Sequence, residues 1–150
     1  MCFGGNKQKP VAEPVAVEEK INLPEFKVIV VGHDNCGKTT LLKMLLNGEV
    51  DHLNDVTLMS DDYSTEIPIE MENGQKKQVK VSLWDMAGTC NMASLTILYL
   101  RNTEAAIFVY GIDDKYSFQK VDPWEELVDE QCPGVLKVLV GNKSDLESER

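Results

Sequence analysis

Positive charge is scarce in this chain. Its 15 lysines and arginines face 25 aspartates and glutamates, for a formal net charge of −10. A general attraction to nucleic acid or to anionic lipid is therefore not expected. No apolar run reaches the ~20 residues that a membrane-spanning helix needs. No secretory signal opens the sequence. The four cysteines, Cys2, Cys36, Cys90 and Cys132, include no pair with zinc-ligand spacing. They read as free thiols of a reducing compartment, so a cytoplasmic protein is expected. The start Met1-Cys2-Phe3-Gly4 lacks the Met-Gly that N-myristoylation requires, and Cys2 by itself is read as unmodified.

What remains is an ordinary globular composition. With 150 residues, 43% of them hydrophobic, the chain suits one domain with a substantial core. Residues 1–25 are poor in apolar side chains and contain Pro10, Pro14 and Pro24, so they read as a mobile arm. The folded domain is expected over 26–150. Phe26 to Val31 reads as a strand, and Lys38 to Asn47 as a helix stopped by Gly48. Glu49 to Ser60 has no clean period and reads as an exposed loop.

Ile67, Ile69 and Met71 alternate with polar residues across Tyr63 to Met71. Pro68 cannot donate to a ladder, so this is an edge strand. Asn73-Gly74 signals a hairpin, and Val79, Val81 and Leu83 carry the partner strand up to Trp84. Ala105 to Tyr110 and Val135 to Val140 are short, nearly continuous apolar runs, the pattern of strands buried on both faces. Between them Phe118, Val121, Trp124 and Val128 form a helical stripe, with a kink or break expected at Asp122-Pro123. Strands alternating with helices predict an α/β fold with a mostly parallel sheet.

The chemistry centres on Gly32-His33-Asp34-Asn35-Cys36-Gly37-Lys38-Thr39-Thr40, between the first strand and the helix. The pattern G-x-x-x-x-G-K-[ST] is intact from Gly32 to Thr39. Gly32 and Gly37 let the backbone turn and approach a polyanion. Successive N–H groups and the helix N-terminus make an anion cradle. Lys38 adds a compact positive charge, and Thr39 offers a hydroxyl to Mg²⁺, a hard ion that prefers oxygen.

Three further groups follow in chain order. Asp85-Met86-Ala87-Gly88 comes directly after a strand, where a carboxylate can hold Mg²⁺ and a glycine N–H can meet a γ-phosphate. Asn142-Lys143-Ser144-Asp145 follows the last apolar run. An ionised Asp145 can accept from N1–H and the 2-amino group of guanine, donors that adenine lacks, which argues against an ATPase. Asn142 can bond the base and tie its loop to the phosphate loop. The aliphatic stem of Lys143 can lie over the purine. Thr57, in the exposed loop, has a hydroxyl that can reach Mg²⁺ when a γ-phosphate draws the loop in.

Taken in this order and spacing, the motifs resemble those of the Ras superfamily of small GTPases over Phe26 to about Leu146. The resemblance implies a three-layer P-loop NTPase fold, its second strand antiparallel at the edge. It implies a GTP/GDP switch that uses Mg²⁺ through Thr39, Thr57 and Asp85, with Lys38, Thr57, Gly88 and residue 89 near the γ-phosphate. Partner proteins (effectors, exchange factors and GTPase-activating proteins) would meet Glu49–Ser60 and Asp85–Leu100, and nucleic acid is not an expected partner. The phosphate loop looks like that of the Arf group. Trp84-Asp85-Met86-Ala87-Gly88 and Tyr99-Leu100-Arg101 look like the Rab and Ras groups.

Two departures stand out. Thr89 occupies the place of the glutamine that orients the attacking water, so slow hydrolysis or a non-hydrolysing scaffold is expected. The sequence stops at Arg150, where relatives continue with a strand, a base-bracing loop and a helix. A C-terminally truncated G domain is therefore expected. It carries no C-terminal prenylation motif to support attachment to an intracellular membrane, and its last strand would keep an exposed edge. The interval from Thr57 to Asp85 is a few residues longer than usual, an excess the Asn73-Gly74 hairpin would absorb.

Overall fold

A computed structural model describes residues 23–48, 57, 60–88 and 93–149. The elements run β1 (Glu25–Val31), α1 (Lys38–Asn47), β2 (Ser60–Glu70), β3 (Lys76–Met86), α2 (Ala93–Leu100), β4 (Ala105–Gly111), α3 (Lys115–Gln119), α4 (Val121–Gln131) and β5 (Leu136–Asn142). A 3-10 segment, Ser144–Glu149, follows. The strands form one sheet in the order β2-β3-β1-β4-β5. β1, β3, β4 and β5 are parallel to one another, and β2 is antiparallel to β3 at the edge.

Alternation along β1 builds two cores. Ile29 and Val31 join Met86, Phe108, Trp124 and Val128 on the face covered by α2 and α4. Val30 joins Leu42, Leu83 and Val109 on the face covered by α1. Because successive strand residues point to opposite sides, a central strand with helices on both faces must be apolar at every position. Val28 to Val31 meets that demand, and the three-layer architecture follows.

α1 has the bounds its pattern predicts, and Gly48 ends it at φ 71°, its N–H bonded to the Met44 carbonyl. The hairpin closes at Asn73-Gly74: Gly74 N–H donates to the Met71 carbonyl, and the Asn73 side chain accepts from Gln75 N–H. β2 begins at Ser60, three residues before the expected Tyr63, because pairing with Met86 and Asp85 extends the ladder across the polar Asp61 and Asp62.

Three expectations need correction. The helix break falls at Lys120, ahead of Asp122-Pro123; Pro123 sits in the first turn of α4, where a missing N–H costs nothing. Phe118 leaves the buried stripe and is 49% exposed, edge-on to Tyr110, while Ser117 is buried in its place. β5 is not buried on both faces. Leu136, Val138 and Leu139 are 66%, 45% and 53% exposed; among the described residues β5 pairs only with β4, and α4 meets it through the Lys137 ion pairs with Glu125 and Asp129. Among the described residues no strand pairs with its far edge. α2 is an addition: its sequence Ala-Ser-Leu-Thr-Ile-Leu-Tyr-Leu is apolar nearly all round and shows no helical stripe.

Candidate functional site

Parallel strands bring distant segments to one rim. β1, β3, β4 and β5 all end on the same edge of the sheet, where α/β folds hold their ligands. The phosphate loop leaves β1, Asp85 sits near the end of β3, Gly111 ends β4, and Asn142 ends β5 opposite Gly111.

The phosphate loop is held in an unusual backbone path. Gly37 has φ 89° and caps α1 without any side-chain hydrogen bond, so the first N–H groups of the helix are left for an anion. A Cβ on Gly37 would lie 2.4 Å from the Asn142 side-chain nitrogen. Asn35 also adopts the left-handed region, φ 58°, which its short polar side chain tolerates. Lys38 is buried and donates to the Gly32 carbonyl at 3.1 Å and the His33 carbonyl at 3.0 Å. An ammonium has three donors, so one remains for a phosphate oxygen. Cys36 is buried beneath the loop, and burial pushes its thiol pKa up. His33 meets Tyr116 edge-on at 5.0 Å, and Thr40 is exposed on the first helical turn.

Gly88 has a role its motif does not reveal. A Cβ there would fall 2.3 to 2.7 Å from Oδ1, the backbone N and Cα of Asp34. The turn after β3 thus packs directly against the phosphate loop, and only glycine leaves the room.

Thr39, Thr57 and Asp85 come together. The Thr39 hydroxyl donates to Asp85 Oδ2 and lies 3.0 Å from the Thr57 hydroxyl, which donates to the same oxygen at 3.2 Å. Asp85 is wholly buried, and its Oδ1 has no hydrogen-bond partner among the described residues. Burial raises its pKa, against hydrogen bonds from Thr39 and Thr57 and the nearby Lys38 charge. Three oxygens, one of them on a buried carboxylate with an unsatisfied atom, fit a hard divalent cation.

The third group lies across the rim. The Asn142 side-chain amide donates to the Cys36 carbonyl at 2.9 Å and to the Gly37 carbonyl at 3.4 Å, so it is a strut to the phosphate loop. Lys143 adopts φ 65°, with its carbonyl accepting from Leu146 N–H at 2.9 Å. Its ammonium pairs with Asp113 Oδ2 at 3.0 Å. Asp145 is exposed in the 3-10 segment. Sequence reasoning missed Asp113. The available signal was a pair of aspartates directly after a buried strand, of which Asp114 caps α3 by accepting from Tyr116 N–H. Thr89 lies outside the described residues, as does most of Glu49–Ser60.

A glycine-bent anion loop, a threonine–aspartate cation set and an Asn-Lys-x-Asp turn on one rim of a parallel sheet define a P-loop nucleotide-binding domain. Comparison with known sequences agrees. The Ras family model matches residues 27–150, and the chain belongs to that family. It is 33% identical over 131 residues to the Ras-related protein rab-39 of Caenorhabditis elegans, an alignment covering 84% of this chain and 56% of that protein. The chain therefore spans about half the length of the curated relative it matches.

Proposed function

We propose that this chain is a guanine-nucleotide switch that binds GTP and GDP with Mg²⁺ and hydrolyses GTP slowly. The observation that carries the reading is the meeting of four segments on one rim: Lys38 and Thr39, Thr57, Asp85, and Asn142 with Lys143 and Asp145. Phosphates would lie in the loop Gly32-His33-Asp34-Asn35-Cys36-Gly37 against Lys38 and the first turn of α1. Thr39, Thr57 and Asp85 would hold the cation, which supplies charge neutralisation at the phosphates. Asp145 is exposed and open to the base. Gly88 brings its backbone against the phosphate loop at the place where a γ-phosphate would end.

Switching follows from the chain's own contacts. Thr57 is linked by hydroxyl hydrogen bonds to Thr39 and Asp85. A γ-phosphate adds to that attachment, and its loss weakens it, changing the surface that residues 49–60 and 85–100 offer to effector and regulatory proteins. Thr89 supports slow turnover, because a short branched hydroxyl replaces the side chain that orients water. It equally supports a second reading, a scaffold that holds nucleotide without hydrolysing it. No helix among the described residues is long and apolar enough to cross a membrane.

The test is to identify the nucleotide that copurifies with the expressed chain, then load labelled GTP and follow GDP in a single turnover. Bound guanine nucleotide with slow GDP formation supports the switch. Bound GTP that never turns over supports the scaffold. A preference for ATP at equal concentration refutes the assignment of Asp145.

A further inference from the structure

In the turn Asn142-Lys143-Ser144-Asp145, the charged end of Lys143 is already committed within the protein. Its Nζ lies 3.0 Å from Asp113 Oδ2, and the two side chains are only 29% and 19% exposed. Asp113 Oδ1 is buried and has no hydrogen-bond partner among the described residues, so the Lys143 contact at Oδ2 is the counter-charge the described residues give this carboxylate. The carboxylate comes from a turn with little freedom. Gly111 N–H donates to the buried Ser117 hydroxyl, that hydroxyl donates to the Asp114 carbonyl at 2.6 Å, and Asp114 N–H returns to the Gly111 carbonyl. Ile112 N–H donates to the Asn142 carbonyl at 3.0 Å, which sets the turn's height against the base loop.

From this geometry we infer that Asp113 is a positioning residue for purine recognition: it fixes the Lys143 ammonium so that the aliphatic stem is presented, pre-ordered, to the base. The inference rests on the nucleotide-binding reading above. Its physical content is entropic. A free lysine gives up much of its rotamer freedom when it packs on a ligand. Here the ion pair has already restricted that freedom before the nucleotide arrives, and a pre-ordered contact binds more tightly than one ordered on binding. The backbone of Lys143, in the left-handed region at φ 65°, is fixed as well.

The experiment measures release of a fluorescent guanine nucleotide from the full chain by stopped flow. Asp113→Ala is expected to speed release on the order of tenfold, the scale of one lysine's rotamer entropy. Asp113→Asn keeps the shape and an acceptor and is expected to fall between, and it carries the comparison if the alanine variant does not fold. Thermal stabilisation by inorganic tripolyphosphate, which has no base, is expected to be unchanged in both variants; a merely structural role for Asp113 would reduce it too. In a Lys143→Met background, which keeps an aliphatic stem without the charge, removing Asp113 is expected to add nothing. Unchanged release in both Asp113 variants, loss of the tripolyphosphate effect, or a full Asp113 penalty in the Lys143→Met background overturns the inference while leaving guanine binding standing. A wild-type chain that holds no guanine nucleotide overturns both.

Discussion

Replacing Asn142 by alanine separates a strut from a reader. The Asn142 amide reaches 2.9 Å to the Cys36 carbonyl, joining loops far apart in sequence. Cys36 is 1% exposed, so water does not replace the lost donor. Leaving that buried carbonyl unsatisfied costs about 1–3 kcal/mol. For a chain of this size each kcal/mol corresponds to about 2–4 °C in Tm. The nucleotide-free Asn142→Ala protein should therefore melt on the order of 5–10 °C below wild type. Asp145 is exposed, and Asp145→Ala should leave the nucleotide-free Tm within about 1–2 °C, as for an ordinary surface change. Both variants should lose guanine-nucleotide affinity. The assay is a thermal melt of nucleotide-stripped protein, paired with GDP titration. Equal melting temperatures for the two stripped variants would refute the division of labour drawn from the geometry.

Four other outcomes are expected. Asp85→Asn removes a buried charge whose pKa burial raises, so at neutral pH the metal-free variant should be at least as stable as wild type, with its Mg²⁺-dependent stabilisation gone; melts with and without Mg²⁺ check this. The sign follows from the raised pKa: ionised Asp85 costs the metal-free fold stability above its folded pKa, the cost fades as pH falls through that value, and Mg²⁺ affinity falls over the same window as protons compete for the carboxylate. Gly88→Ala should weaken nucleotide binding at least tenfold, because its methyl would sit 2.4 Å from Asp34 N in the phosphate loop; calorimetry with a GTP analogue would contradict this by returning wild-type affinity. Lys38→Ala removes the donor to the Gly32 and His33 carbonyls and the charge at the phosphates, and retention of tight GTP binding would dismiss the phosphate site.

The motifs were legible because each is local. A β-branched run, a glycine and Gly-Lys-Thr fix strand, loop and helix by their own stereochemistry, and α1 has the bounds its sequence indicates. Alternation likewise exposes the β2–β3 hairpin. β5 misled because a continuous apolar run states what a strand can bury, not what lies against it. Val138 and Leu139 are exposed, and among the described residues β4 is the only strand partner of β5. α2 hid for the opposite reason, being apolar nearly all round and without a face to read.

From the residues alone came the inventory: which side chains could grip phosphate, cation and base. Tertiary structure decided their neighbours. Parallel strands set Asn142 against Cys36, Gly88 against Asp34, and Lys143 against Asp113. Those pairings join segments distant in the chain, so no local pattern encodes them; they exist only where the sheet brings its strand ends to one rim.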